Sequence, residues 1–93
     1  MRVGTVTQQP NERKWYSIDY REALDDGDAI TAVLGTTVTP SGLAVSPTLP
    51  DEFRVRLFLQ GGVDGTTYKI TVQVETAGGE VFEDELVCRV KEV

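Results

Sequence analysis

The chain contains no histidine and a single cysteine, Cys88, among its 93 residues. Without histidine there is no imidazole general base and no Ser-His or Cys-His nucleophile pair. One cysteine cannot close an internal disulfide, so the fold needs no oxidising compartment. A zinc site built from His and Cys is excluded by the same inventory. Basic residues are also scarce: nine Lys and Arg stand against fifteen Asp and Glu, for a net charge of −6. Nucleic-acid binders usually present a basic surface, so direct binding to nucleic acid or to an anionic membrane is disfavoured. The acidity names no partner, because a net charge of this size also serves solubility. No apolar run approaches the ~20 residues that a membrane helix needs. The opening MRVGTVTQQPNERK has no apolar h-region, so no Sec-type export signal is expected.

What is present is an ordinary globular composition, 40% hydrophobic and 26% charged, in a length suited to one small domain. Such a chain buries roughly 60–65% of the surface exposed by its unfolded form. That supports one thin core and leaves little for a deep catalytic cavity. Residues 1–13, MRVGTVTQQPNER, are polar, contain Pro10 and lack a sustained apolar period. They read as an N-terminal arm or a loosely attached terminal strand, ahead of a domain over 14–93. The run KWYSIDY, with Trp15, Tyr16, Ile18 and Tyr20, is β-prone. Arg21–Ala29 reads REALDDGDA: Asp25, Asp26, Gly27 and Asp28 are turn formers, and REAL is too short for a free-standing helix. ITAVL at 30–34 is an apolar strand, which Gly35, Thr36 and Thr37 interrupt or carry onward. Pro40-Ser41-Gly42 marks a turn, and Leu43 to Ser46 a short strand closed by Pro47 and Pro50.

The second half alternates more cleanly. Phe53, Val55, Leu57 and Leu59 interleave with Arg54, Arg56, Phe58 and Gln60, a period of two that marks a half-buried strand. Gly61, Gly62, Asp64 and Gly65 form a glycine-rich turn, read as a hairpin. Tyr68, Ile70, Val72 and Val74 then alternate with Lys69, Thr71, Gln73 and Glu75. Ala77-Gly78-Gly79-Glu80 suits a hairpin loop. In the last strand Phe82, Leu86, Cys88 and Val90 share one parity, and Glu83, Glu85, Arg89 and Lys91 the other. Asp84 interrupts the apolar set and is expected near water; Val87 interrupts the polar set and predicts partial cover there. Short strands at turn spacings of about 8–12 residues, with no convincing helix, predict an all-β sandwich of two stacked sheets. The expected core is Trp15, Ile18, Ile30, Val33, Leu43, Val45, Phe53, Val55, Leu57, Tyr68, Ile70, Val72, Val74, Leu86, Cys88 and Val90.

No candidate site rises to a catalytic one. Asp19, Asp25, Asp26 and Asp28 are hard oxygen donors suited to calcium, but the EF-hand spacing is missing. A solvated turn whose carboxylates accept backbone amides explains them. Gly61 to Thr67 lacks the G-K-[ST] ending of a phosphate loop and leads into a strand, so no helix N-terminus follows it. Cys88 lies on the inward parity with no histidine to activate it, and reads as an inert thiol. Glu83 and Glu85 share a strand face with Arg89 and Lys91, which predicts a solvated, ion-paired surface. Arg54 and Arg56 face outward, to pair with those acids or to meet a partner. No catalytic residue, metal or cofactor is expected, and carboxylate catalysis has no cleft-forming insertion to support it.

The order of these motifs is more specific than any one of them. Tyr16-Ser17-Ile18-Asp19-Tyr20 is followed by Leu24-Asp25-Asp26-Gly27-Asp28-Ala29-Ile30, then by Ser41-Gly42-Leu43-Ala44-Val45. Leu59-Gln60-Gly61-Gly62-Val63-Asp64-Gly65-Thr66-Thr67-Tyr68-Lys69-Ile70 comes next, and Val74-Glu75-Thr76-Ala77-Gly78-Gly79-Glu80 completes the set. The ensemble, over about residues 14–93, resembles a family of small structural proteins of tailed bacteriophages, the fiber-tail adaptor or Ig-like virion proteins. Tyr20 departs from the tryptophan many members carry after the Asp, and Pro47 to Asp51 is unusually proline-rich. The resemblance implies an immunoglobulin-like sandwich of about seven antiparallel strands and no catalytic residues. It implies a virion structural protein, made in the bacterial cytoplasm, that acts as adaptor or spacer in the tail or head–tail region. Its partners would be other virion proteins, with many copies in a symmetric assembly. A capsid decoration protein is the nearest alternative. A carbohydrate- or calcium-binding sandwich, resting on Phe58 and the Asp25–Asp28 cluster, is a second.

Overall fold

Alternating side chains need two layers to bury one face each, and the chain supplies them from seven strands and no helix. The computed structural model describes residues 2–93. Met1, the first residue of the expected arm, lies outside the described residues. The strands are β1 (Arg2–Gln8), β2 (Arg13–Asp19), β3 (Ile30–Thr39), β4 (Leu43–Thr48), β5 (Arg54–Gly61), β6 (Thr66–Thr76) and β7 (Val81–Val90). One sheet runs β1-β7-β6-β3 and the other β2-β5-β4. In immunoglobulin terms the three-stranded sheet is B-E-D, and β7-β6-β3 is G-F-C. All pairings are antiparallel except β1 with β7, which is parallel. Thus the polar N-terminal residues 2–8, read as arm or terminal strand, run alongside the last strand, and Gln8 is buried where β1 ends. Its side-chain amide donates to the Leu59 carbonyl at 3.0 Å and so ties the two layers together.

The core lies between the sheets. Val55, Leu57 and Leu59 of β5 oppose Ile70, Val72, Val74 and Cys88 of β6 and β7, and none of these seven has accessible surface. Burying side chains of this kind contributes about 1.5–3 kcal/mol apiece relative to exposure. The sandwich is a short rod, 43 × 19 × 18 Å.

Several expectations change. Trp15 and Ile18 both belong to the expected core, but they have opposite parity on one strand and cannot share a face. Tyr16, Ile18 and Tyr20 point inward, and Trp15 is 44% exposed on the outer surface. Phe53 precedes β5 in a bend and stays exposed, with the Arg21 guanidinium 5.5 Å from its ring centroid. Val33 and Val45 are only partly buried. ITAVL continues to Thr39, but the β3–β6 register slips between Ile30 and Ala32 and again between Val33 and Gly35. These bulges place Ile30, Val33, Thr36 and Val38 opposite the inward residues Thr76, Val74, Val72 and Ile70. Each bulge adds a residue and flips the parity beyond it, which is how Leu34 comes to be exposed. Asp84, expected near water, is only 4% exposed.

The turn at 61–65 is not a hairpin, because it carries the chain from one sheet to the other. Gly61, Gly62 and Gly65 have φ of 83°, 96° and 82°, a region open chiefly to glycine. The Val63 amide donates to the Tyr68 hydroxyl at 2.9 Å. This is the tyrosine-corner arrangement of immunoglobulin-like sandwiches, at the start of the F strand. The expected hairpin does form at 77–80, between β6 and β7.

Candidate protein-interaction site

The outer face of β2-β5-β4 carries the one large aromatic cluster on the described surface. In the β2–β5 register Trp15 stands opposite Phe58, and Ser17 opposite Arg56. The odd positions of β2 and the even positions of β5 both point outward, so Trp15, Phe58 and Arg56 converge. The Trp15 and Phe58 rings are 4.8 Å apart between centroids and tilted by 42°. The Arg56 guanidinium lies 4.6 Å from the Trp15 ring centroid, within cation–π range. On the other flank β4 offers only small side chains: Ser46 stands opposite Phe58 and Thr48 opposite Arg56. The aromatic pair is therefore a raised platform with low sides. Trp and Arg are among the side chains most often found at the energetic centre of protein interfaces: Trp buries much area with two rotatable bonds, and Arg adds a planar charged fork that stacks on it. Arg13 and Arg54 extend the platform along the same face. Asp19 stands opposite Arg54 on this face, and Asp51 pairs with Arg54, so Arg13 and Arg56 carry its remaining positive charge.

Sequence reasoning placed Trp15 inside and so missed this site. The signal that could have found it was the parity clash between Trp15 and Ile18. Arg54 and Arg56 do face outward but do not meet Glu83 or Glu85. Arg54 forms a two-pronged pair with the Asp51 carboxylate at 2.7 and 2.9 Å. That pair, with the amides of Phe53 and Arg54, holds the Asp51 carboxyl below its ordinary pKa. Glu85 pairs with Lys69 at 3.5 Å, and Glu83 accepts from the Gln73 amide at 3.1 Å. Phe58 is half-buried against Trp15 instead of standing free.

The acidic loop disperses into separate tasks. Asp19 caps the Arg21 amide at 2.9 Å. Asp28 accepts from its neighbour Ala29 at 2.9 Å and from Gly78, at the distant hairpin tip, at 3.0 Å. These backbone bonds hold the Asp28 carboxyl below its ordinary pKa. Among the described residues no cluster of three or more His, Cys, Asp or Glu side chains is placed to hold a metal. Cys88 is buried, and burial raises its thiol pKa.

A second feature opens along the seam where the edge strands β1 and β2 leave the sandwich unclosed. A cleft of ≈ 320 Å³ has apolar walls from Val3, Ile18, Val81 and Phe82, and carboxylates from Asp19, Glu83 and Asp84. At its base lies Tyr20, 3% exposed, its ring stacked on Phe82 with centroids 6.1 Å apart. Burial and then the Asp84 charge push the Tyr20 phenol well above its ordinary pKa. The hydroxyl is closed off from solvent, with the Asp84 carboxylate as its polar neighbour beyond ordinary hydrogen-bond length.

No described helix is long and apolar enough to cross a membrane. Of solved structures, the solution structure of Amebosin superposes with a TM-score of 0.45 at 11% identity, covering 97% of this chain and 96% of that one. No curated protein sequence matches. The family model for the podophage GP4 fiber-tail adaptor protein gp77 matches residues 8–89, from the end of β1 into the last turn of sheet pairing in β7. This chain therefore belongs to the podophage GP4 fiber-tail adaptor protein gp77 family, structural proteins of the bacteriophage tail.

Proposed function

We propose that the protein is a non-enzymatic spacer that joins two components of the phage tail, and that it docks one of them through the Trp15–Phe58–Arg56 platform. Family membership supports a tail location and a partner among tail proteins. The observation that carries the docking surface is the exposure of Trp15 beside Phe58 and beneath the Arg56 guanidinium. A solid, rod-shaped sandwich suits a spacer, since its length is set by strand pairing and not by a hinge. Several copies arranged about the tail axis would repeat one modest contact, and multivalency then strengthens it. Its partners are other virion proteins, with neither nucleic acid nor membrane among them.

Immunogold labelling of intact particles tests the location: label at the tail is expected. Label over the capsid would make the protein a decoration subunit, and no label on intact virions would remove it from the particle. A blank glycan array separates the platform from a sugar-stacking surface. Purified tail components, assayed against the protein and its Trp15→Ala variant, test the platform itself.

A further inference from the structure

The two layers of the sandwich are unequal, four strands facing three, and the mismatch falls on one side. On the far side β3 and β4 meet, joined by the turn at Pro40-Ser41-Gly42. On the near side β2 lies over β7: Tyr20 stacks on Phe82, and Ile18 shares a groove wall with Leu86. β1 is the next strand out from β7, and among the described residues no strand faces it. A groove of ≈ 400 Å³ runs there instead, lined by Val3, Val6, Ile18 and Leu86. It continues into the Tyr20–Phe82 cleft, with which it shares Val3, Ile18 and Asp19. The Tyr16 hydroxyl closes its other end by donating to Gln8 Oε1 at 3.1 Å.

The bare edge of β2 is also the most regular of the four. The Tyr20 amide donates to the Phe53 carbonyl at 2.8 Å, in line with the β2–β5 register. In an antiparallel pair only alternate residues bond to the neighbouring strand. Tyr16 and Ile18 therefore bond to β5, while the amides and carbonyls of Trp15, Ser17 and Asp19 point away from it. These three residues are exposed, and among the described residues no second strand pairs with β2. The other edges are blunted: Pro47 interrupts the donors of β4, β3 is bulged twice, and β1 slips register between Arg2 and Gly4. β2 keeps an unbroken register from Arg13 to Asp19. A regular edge left open beside an apolar groove is shaped for one more strand.

We propose that an extended segment of a neighbouring tail protein fills this place as a fourth strand of the β2-β5-β4 sheet. About five residues, at roughly 3.3 Å each, match the open length of β2 from Tyr16 to Tyr20. Main-chain bonds to Trp15, Ser17 and Asp19 hold the segment, and its alternate, apolar side chains enter the groove against Val3, Val6, Ile18 and Leu86. A second copy of this chain cannot take the place through its own β2. Antiparallel pairing of two β2 edges would set the second copy's β7 where β1 lies, so the overhang of β1 admits a single strand only. The placing of the partner in the tail rests on the adaptor reading above; the strand site does not. The segment passes beside Trp15, so the aromatic platform and the open edge serve one partner.

Hydrogen exchange and crosslinking, on the full chain alone and in purified tails, test the site. In the free protein, NMR should show the amides of Trp15, Ser17 and Asp19 exchanging at least about tenfold faster than those of Tyr16 and Ile18. In tails, exchange over residues 13–19, read by mass spectrometry, should slow at least about tenfold. Photo-crosslinkers placed at Ser17 and at Val3 should capture the same segment, with apolar residues at alternate positions. Ser17→Pro removes an outward donor and no bond to β5, so it should keep a native melting transition and enter tails at least about tenfold less well. Should that variant fail to fold, exchange and crosslinking decide. Unslowed exchange in tails, unrelated captures from the two positions, or capture of a helical segment or of this chain's own β2 would overturn the strand site. Normal incorporation of a folded Ser17→Pro would do the same, and each of these results leaves the adaptor reading standing. Failure to find the protein in the tail would bring down the adaptor reading and the partner together.

Discussion

The hydroxyl of Tyr68 on β6 reaches back across the inter-sheet turn and accepts the amide of Val63 at 2.9 Å. The ring is 1% exposed, and the bond itself is partly buried. Tyr68→Phe keeps the packing and removes the acceptor of the Val63 amide. Unfolding in urea should show a loss of about 0.5–1.5 kcal/mol. An unchanged midpoint would mean that the corner is held by its glycines alone.

The same turn separates two effects of glycine. At Gly62 (φ +96°) an added Cβ would lie 2.7 Å from Val90 Cγ2 and 3.3 Å from the Tyr68 ring. At Gly65 (φ +82°) nothing lies within 4 Å. Both Ala variants carry the left-handed backbone cost of about 1–2 kcal/mol. Gly62→Ala should exceed Gly65→Ala by about a further 1–3 kcal/mol, from overpacking. Equal destabilisation in paired denaturation curves would contradict the packing argument.

Asp28 links the β2–β3 loop to the β6–β7 hairpin, and its carboxyl is held below its ordinary value of 3.8 by backbone amides. A carboxyl whose folded pKa is lowered stabilises fully above its unfolded pKa and loses that contribution as pH falls through the folded value. The melting-temperature gap between the parent and Asp28→Asn should therefore hold steady from neutral pH down to about 4 and shrink below it. Asp51, lowered by Arg54, should behave alike with Asp51→Asn. A gap that widens on acidification would reverse the assignment.

Trp15 is a surface residue, so its removal should be nearly silent for folding and loud for binding. Trp15→Ala is expected to change stability by less than about 1 kcal/mol and to weaken the tail-partner complex by about 2 kcal/mol or more, roughly thirtyfold in Kd. Calorimetry on the same preparations reads both. A variant that unfolds would place the tryptophan back among the structural residues.

Cys88 has no accessible surface, and burial raises its thiol pKa. A colorimetric disulfide reagent should leave it untouched at neutral pH and titrate one thiol in denaturant. Rapid reaction in the native state would show an opening of β7 that its central packing does not suggest.

Much of the architecture was readable from spacing. Val55, Leu57 and Leu59, then Tyr68, Ile70, Val72 and Val74, then Leu86, Cys88 and Val90 alternate cleanly, and all are buried. The four-residue hairpin at 77–80 was legible from its glycines. The two-residue period, however, states only that a strand has two faces. It does not say which sheet the strand joins or which face a mixed strand turns inward.

Those choices belong to the tertiary structure. KWYSIDY has aromatics on both parities, and only the pairing of β2 with β5 decides that Tyr16, Ile18 and Tyr20 enter the core while Trp15 forms the outer platform. The bulges in β3 and the inter-sheet path of the 61–65 turn follow from long-range register, which local sequence does not encode. Asp84 sits in an apolar stripe, and whether water reaches it depends on Tyr20, contributed by the other layer some sixty residues earlier. Composition and periodicity determined an acidic, all-β chain without catalytic histidine or cross-link, because those properties are sums over residues or their nearest neighbours. Which side chains are offered to a partner was decided by folding, because a surface is made by strands that are distant in the chain.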